Sequence, residues 1–190
     1  AVYQGILEEE LAQAIDESRA EGALGVILDP RSGEVLAMAN LPLFDPNKAA
    51  DSSPERRRNR VITDAYEPGS TFKVIAAAAV LEDGLARLES PVYCEDGELE
   101  LPNGDIIRDT QAYGDLLFSQ VIEKSSNIGL IKFARRLPRS RFYEYIRSFG
   151  FATRTGINLP AENSGLLAEV DKWSERSLET IAIGQEVGAT

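Results

Sequence analysis

The segment EPGSTFK, residues 67–73, decides how the rest of the chain is interpreted. It places a serine just after a Pro-Gly turn and a lysine three residues later, at the start of an apolar run from Val74 to Leu81. Side chains at positions i and i+3 of a helix lie on one face, so Ser70 and Lys73 can meet if this run is helical. The pattern predicts a helix over 70–82, ended by a glycine at position 84.

If Ser70 is a nucleophile, a lysine is the partner to expect, because the chain contains no histidine. A Ser-His-Asp arrangement within the chain is therefore excluded, and lysine is the main known substitute for the histidine. A protonated lysine cannot accept a proton, but burial beside an apolar helix lowers its pKa. The start of the helix also directs backbone N–H groups at the serine, where negative charge develops during acyl transfer.

The alternative is that Ser70 is an ordinary N-cap and Lys73 an ordinary lysine in the first turn. Roughly one S-x-x-K match is expected by chance in a chain of this length, so the pair alone is weak evidence.

A second segment, KSSNIG at residues 124–129, lies between two predicted helices. A turn there would present Ser125, which can relay a proton, and Asn127, which can hydrogen-bond a peptide bond. The alternative for this segment is that Ser125 or Ser126 only caps the second helix.

The composition argues against several classes of function. The 190 residues carry 20 basic and 31 acidic side chains, and a net charge of −11 argues against a nucleic-acid-binding surface. Cys94 is the one cysteine, which excludes an internal disulfide; with no histidine either, a protein-ligated zinc or copper site is not expected. No apolar stretch is long enough to cross a bilayer and no signal peptide is visible, so we expect any anchor to lie outside these residues.

Periodicity and turn signals predict an α+β organisation, with a β-hairpin followed by a block of helices. A helix is predicted over 6–20, a hairpin of strands 23–28 and 34–39 around the turn 29–33, and a long polar surface loop over 41–60. Short strands are predicted over 91–109, around the two hairpin-turn dipeptides Asp96-Gly97 and Asn103-Gly104. Further helices are predicted over 114–124, 126–136, 140–149 and 174–183, with turns and a short strand between the last two.

In the order and separation of its S-x-x-K and S-x-N motifs, the chain resembles the transpeptidase domain of the penicillin-binding proteins, within the serine β-lactamase and DD-peptidase superfamily. Beside S-x-x-K and S-x-N, residues 28–39 (LDPRSGEVLAMA) are similar to the opening hairpin of that domain. Segments 43–47 (LFDPN) and 59–64 (NRVITD) are similar to those that precede the nucleophile in monofunctional, class B members. Residues 155–160 (TGINLP), with Glu162 and Gly165, and residues 183–185 (IGQ) are similar to a later loop and the segment that follows it.

The resemblance implies a β-lactamase/transpeptidase-like α+β fold, an antiparallel sheet with a helical block, and a site that uses no cofactor or metal. It implies that Ser70 is the nucleophile, Lys73 its base, Ser125 a proton relay and Asn127 the residue that holds the substrate amide. The serine would attack the D-Ala-D-Ala bond of a peptidoglycan stem peptide, and an amine of a neighbouring stem would then resolve the acyl-enzyme. A β-lactam antibiotic would acylate the same serine.

The resemblance also implies a setting. The parent protein would be membrane-anchored, on the extracytoplasmic face of the cytoplasmic membrane in the bacterial cell envelope. Its partners would be other cell-wall synthesis proteins and not nucleic acid. A role in division, elongation or sporulation stays open.

The third motif of the family, K-T-G or K-S-G, is not found in residues 1–190. Arg154-Thr155-Gly156 lies in the later loop and Arg31-Ser32-Gly33 is the hairpin turn, so neither is interpreted as that motif. We therefore expect residues 1–190 to be a partial transpeptidase domain, without the N-terminal anchor and pedestal and incomplete at the C-terminal end. Alone, they are expected not to fold stably, or to need a second chain that carries the rest. Two other functions stay open: a serine β-lactamase, for which no class A Glu loop is visible, and a β-lactam sensor or scaffold without turnover.

Overall fold

A computed structural model describes residues 1–101 and 103–190. They form an α+β structure, as predicted, and divide into two compact units. The first unit comprises residues 1–64, 158–163 and 190, and the second comprises residues 65–157 and 164–189. All four predicted site residues lie in the second unit.

The first unit packs a helix on a β-hairpin. Helix α1 (Val2–Ser18) precedes strands β1 (Ala23–Leu28) and β2 (Val35–Leu41), which pair antiparallel. The helix approaches the hairpin closely at Gly25, where an added Cβ would lie 2.7 Å from Leu7 Cδ1. The absence of a side chain at this position therefore allows the helix to pack on the strand.

The predicted hairpin turn is confirmed at residues 29–33. The Gly33 N–H donates to the Asp29 carbonyl at 2.8 Å, and Gly33 adopts a φ of 74°. The polar loop predicted over 41–60 contains two short helices, a 3-10 helix (Pro46–Asp51) and α2 (Pro54–Arg57). Each begins at a proline, a residue that favours the first position of a helix. The short helix α3 (Arg60–Thr63) then leads out of this unit.

The second unit is a block of helices with short antiparallel strand pairs. A 3-10 turn (Gly69–Phe72) continues into α4 (Lys73–Glu82), and the other helices are α5 (Phe118–Glu123), α6 (Asn127–Ala134), α7 (Arg139–Ser148) and α8 (Ser177–Ala182). The strands are β3 (Pro91–Tyr93), β4 (Glu98–Glu100), β5 (Ile106–Arg108), β6 (Asp115–Leu117), β7 (Leu166–Leu167) and β8 (Val187–Gly188). They pair as β3–β6, β4–β5 and β7–β8. Two 3-10 turns, Glu95–Gly97 and Val170–Lys172, complete the unit.

The core of the second unit surrounds α6. Six of the eight residues of this helix are buried, among them Ile128, Leu130 and Phe133, which are fully inaccessible to solvent. The Phe133 ring packs edge-on against Phe118 of α5, with ring centroids 4.8 Å apart. Because neighbours enclose most of the helix, its N-terminus is held in a fixed position, and that N-terminus carries the S-x-N motif.

Two local predictions are wrong. The helix predicted over 114–124 begins only at Phe118, because residues 115–117 pair with β3 as strand β6. Asp96-Gly97 does not form a hairpin turn, since β3 and β4 on either side of it pair with other strands, and it lies in a 3-10 turn instead. Asn103-Gly104 does lie between two paired strands, β4 and β5, as predicted.

Among the described residues, no helix is both long enough and apolar enough to span a membrane.

Candidate active site

Ser70 lies in the 3-10 turn that leads into α4, and its side chain is exposed. The N-cap positions of this turn and of α4 are Pro68 and Phe72, so the alternative of Ser70 as an N-cap is wrong. The neighbouring Thr71 hydroxyl donates to the Pro68 carbonyl at 2.8 Å, which tightens the turn. Within the described residues, the Ser70 hydroxyl has no hydrogen-bond partner, so it is available to a ligand.

The turn that carries Ser70 is held by segment 184–189. The Gly69 N–H donates to the Gly184 carbonyl at 3.0 Å, and Tyr66 and Ala189 exchange two backbone hydrogen bonds of 2.9 Å. The Glu186 N–H donates to the Glu67 carboxylate at 2.8 Å. The residues that lead into the serine turn, Tyr66, Glu67 and Gly69, are therefore fixed by a segment that is distant in sequence.

Lys73 is the first residue of α4 and is only 4% exposed. Its Nζ donates to the Ser125 carbonyl at 2.5 Å and to Ser125 Oγ at 3.0 Å. Burial lowers the pKa of Lys73 to about 8, and the negative charge of Asp109 partly opposes this shift. At that pKa about one amine in ten is neutral at pH 7, against about one in 3000 at the ordinary value, so Lys73 can accept a proton under physiological conditions.

The two adjacent serines have different roles: Ser126 caps a helix and Ser125 contacts Lys73. Ser126 is 1% exposed and caps α6, since its hydroxyl accepts a hydrogen bond from the Gly129 N–H at 2.9 Å. Ser125 is exposed in the turn between α5 and α6, with a φ of 54°. The capping alternative therefore holds for Ser126, and the Ser125 hydroxyl is left to contact Lys73.

Asn127 begins α6 and is half-buried. Its Nδ2 donates to the Arg108 carbonyl at 2.7 Å. A carbonyl can only accept, so this bond orients the amide and leaves the Asn127 Oδ1 to accept from another group.

Asp109 is a further residue of this site that the sequence analysis did not identify. Its carboxylate accepts hydrogen bonds from the Ser126 hydroxyl at 2.6 Å and from the N–H groups of Asn127 and Ile128 at 2.5 and 3.1 Å. No local pattern marks Asp109 as a cap, because the helix that it caps begins 18 residues later.

The structure thus brings Lys73 and Ser125 into direct contact, with Asn127 two residues beyond. Ser70 stands three residues before Lys73, across the junction of the 3-10 turn and α4, and no hydrogen bond links the two side chains.

In the part of the chain that the structure describes, no group of three or more His, Cys, Asp or Glu side chains has the geometry to hold a metal ion. The Cys94 thiol is fully buried, and burial raises its pKa, which disfavours the reactive thiolate.

The division of roles between the two serines predicts unequal effects on stability. We expect Ser126→Ala to lower the free energy of unfolding of the whole protein by about 2 kcal/mol, because it removes a helix cap and leaves a carboxylate oxygen of Asp109 without its donor. Ser125→Ala, the adjacent and exposed control, should change it by less than about 0.5 kcal/mol. Urea denaturation measures both; equal losses for the two variants would contradict this assignment.

Three comparisons with known proteins agree on one family. Residues 23–190 match the family model described as the penicillin binding protein transpeptidase domain. Over 187 residues the chain is 36% identical to the penicillin-binding protein PbpB of Mycolicibacterium smegmatis, and the match covers 97% of this chain and 28% of that protein. Over 181 residues it is 35% identical to the peptidoglycan D,D-transpeptidase FtsI of Escherichia coli K12, covering 95% of this chain and 30% of that protein.

The solved structures agree with the sequence relatives. The transpeptidase domain of penicillin-binding protein 3 from Burkholderia pseudomallei superposes with a TM-score of 0.85 at 26% identity, covering 98% of this chain and 51% of that one. A peptidoglycan glycosyltransferase structure from Burkholderia ambifaria gives a TM-score of 0.87 at 27% identity, covering 98% of this chain and 55% of that one. The chain therefore spans less than a third of the two curated relatives and about half of these solved structures.

Proposed function

The chain belongs to the penicillin-binding protein transpeptidase domain family, and from that premise we propose that it carries the acylation site of a peptidoglycan D,D-transpeptidase. The observation that carries the proposal is the buried amine of Lys73, held 2.5 Å from the carbonyl and 3.0 Å from the hydroxyl of Ser125. A lysine that is only 4% exposed and has a pKa of about 8 is suited to exchange protons with hydroxyl and amine groups near neutral pH.

In the proposed mechanism, Ser70 Oγ attacks the carbonyl of the D-Ala-D-Ala bond, and the neutral Lys73 amine takes the hydroxyl proton. The Ser70 N–H, near the start of α4, donates to the oxygen on which negative charge develops. As the C–N bond breaks, the proton passes from Lys73 through the Ser125 hydroxyl to the departing amine of D-alanine. Asn127 holds an N–H of the stem peptide through its free Oδ1.

The second half of the reaction reverses these roles. An amine of a neighbouring stem attacks the acyl-enzyme and loses a proton through Ser125 to Lys73, which returns it to Ser70 Oγ as the ester bond breaks. The product is a cross-link between two stem peptides. A β-lactam would acylate Ser70 in the same way, and its ring-opened leaving group would stay attached and hinder attack by the second amine.

For the whole protein we propose the setting that the resemblance implies. The chain would be one part of a transpeptidase domain in a longer, membrane-anchored protein of the bacterial cell envelope that acts with other cell-wall synthesis proteins. Two relatives that match nearly all of this chain are FtsI of Escherichia coli and the stage V sporulation protein D of Bacillus subtilis. The sporulation protein is 34% identical over 190 residues, and the match covers 29% of its length. These two relatives are 35% and 34% identical to the chain, so we propose cross-linking itself and no particular stage of the life cycle.

The direct test is cross-linking by the whole protein. With a stem peptide that ends in D-Ala-D-Ala and an amine acceptor, we expect a cross-linked product and free D-alanine, both lost in Ser70→Ala. Ser140→Ala, an exposed serine on α7, is the matched control and should keep full activity. Products that persist in Ser70→Ala would contradict the proposal.

A labelled penicillin separates the other two functions that the sequence leaves open. Rapid release of hydrolysed penicillin would indicate a β-lactamase. A long-lived adduct without any cross-linking would indicate a sensor or scaffold. The proposed transpeptidase predicts a long-lived adduct together with cross-linking.

A further inference from the structure

We propose that Asp109 is a positioning residue of this site: its carboxylate fixes turn 125–127 against Lys73 and places a negative charge behind that turn. The inference rests on the proposed function and deepens it, because Asp109 belongs to neither sequence motif. It follows strand β5 and reaches the site only through tertiary structure.

The first argument is geometric. Asp109 Oδ2 accepts from the Ser126 hydroxyl at 2.6 Å, and Oδ1 accepts from the N–H groups of Asn127 and Ile128 at 2.5 and 3.1 Å. The preceding carbonyl, of Arg108, accepts from Asn127 Nδ2 at 2.7 Å. Two consecutive residues therefore bind three consecutive residues at the start of α6, through four hydrogen bonds.

The second argument is continuity along the chain. Ser125, whose carbonyl and hydroxyl both accept hydrogen bonds from the Lys73 amine, directly precedes the three residues that Asp109 and Arg108 hold. Ser125 has a φ of 54°, a conformation that non-glycine residues adopt only when neighbouring contacts stabilise it. The bonds to Asp109 supply such contacts on the C-terminal side of Ser125.

The third argument is electrostatic. The N-terminus of α6 carries a partial positive charge and unpaired N–H groups, which a carboxylate satisfies. The same negative charge acts on the Lys73 ammonium and raises its pKa, against the larger effect of burial. Asp109 thus limits how far burial lowers the proton affinity of the amine, and a base with greater proton affinity takes a hydroxyl proton more effectively.

Asp109 is the charged group identified as acting on the Lys73 ammonium. The elements that pack on α4 carry other charged side chains. These are Glu123 on α5, Lys124 in the turn after it, Lys132 on α6, Arg139, Arg141, Glu144 and Arg147 on α7, and Glu179 on α8. Several are engaged elsewhere: Lys132 pairs with Glu95, Arg141 with Asp83, and Glu179 with Arg135.

The test is the pH profile of acylation of the whole protein by a labelled penicillin. In the wild type the rate should rise with pH, with a midpoint near 8, because the Lys73 amine must be neutral to act as a base. Asp109→Asn removes the charge at nearly constant volume. We expect the midpoint to move about 0.5–1 pH unit lower, since loss of a nearby negative charge disfavours the protonated amine, and the plateau rate to fall about tenfold as the turn loses its alignment.

Asp115→Asn is the matched control, because it makes the same substitution at an exposed aspartate on β6 that has no hydrogen bond to turn 125–127. Its profile should follow the wild type. An unmoved midpoint in folded Asp109→Asn would overturn the electrostatic part of the inference, and an unchanged plateau would overturn the positioning part. Wild-type protein that forms no adduct at any pH would instead contradict the proposed function.

If Asp109→Asn does not fold, the same pH profile is measured for Asp109→Glu. The longer side chain retains the charge and displaces it. We expect a midpoint within about 0.2 pH unit of the wild type and a plateau about tenfold lower. A wild-type plateau in Asp109→Glu would overturn the inference.

Discussion

Replacing Lys73 with methionine is expected to lower the rate of penicillin acylation at least ~1000-fold while the protein stays folded, because general base catalysis contributes factors of this size. Methionine matches the length and apolar surroundings of the buried lysine stem and removes only the amine. The buried amine is costly to desolvate, and its accepting partner Ser125 is exposed, so the loss of stability should stay below about 1 kcal/mol.

Lys132→Met is the control for this substitution. Lys132 lies on α6 and its amine binds the Tyr93 carbonyl and Glu95, so the variant makes the same chemical change outside the contact between Lys73 and Ser125. We expect wild-type acylation, with a small loss of stability from the broken ion pair. The rates are measured with a fluorescent penicillin, and folding by the thermal transition. Lys73→Met that retains more than a tenth of the wild-type rate and melts normally would contradict the role of Lys73 as the base.

The second large effect is expected for Gly184→Ala. Gly184 has a φ of 82°, and an added Cβ would lie 2.0 Å from the Gly69 carbonyl oxygen, 2.6 Å from its carbon and 2.7 Å from its nitrogen. These atoms are backbone and directly precede Ser70, so the methyl group fits only if the serine turn moves. We expect the free energy of unfolding to fall by about 3 kcal/mol or more, from strain at positive φ and the steric clash together, and acylation to be lost even below the melting temperature.

Gly156→Ala separates the two contributions. Gly156 has nearly the same φ, 80°, but an added Cβ there meets nothing within 4 Å. It should therefore show only the cost of the backbone conformation, about 1 kcal/mol, and keep full acylation. Chemical denaturation of the two variants gives the difference, which we assign to the contact between Gly184 and Gly69. Equal losses in both variants would show that this contact does not constrain the serine turn.

Local patterns predict well those parts of the fold that local interactions form. The hairpin of β1 and β2 follows from alternating strands around a turn whose glycine requires positive φ, and its first strand has the predicted bounds. The helix after Ser70 ends where Gly84, with a φ of 66°, was predicted to end it. The two motifs also lie on the predicted kinds of element: a helix start for S-x-x-K, and a turn between helices for S-x-N.

The errors and omissions come from contacts between distant residues. Strand β6 was predicted as part of a helix, because its pairing with β3 is not encoded in its own short sequence. Asp109 caps a helix that begins 18 residues later, and Gly184 contacts Gly69 from the far end of the chain. The sequence identifies the groups of the candidate site, whereas the groups that hold them in place emerge only from the packed structure.

The central claim is that Ser70 is the residue acylated in this site. The most direct measurement is mass spectrometry of the tryptic peptides after the whole protein reacts with a penicillin. Cleavage after Arg60 and Lys73 isolates Ser70 in peptide 61–73, and cleavage after Lys124 and Lys132 isolates Ser125 in peptide 125–132. We predict the mass of one penicillin on peptide 61–73, located at Ser70 by fragmentation; a penicillin on peptide 125–132, or on neither peptide, would contradict the claim.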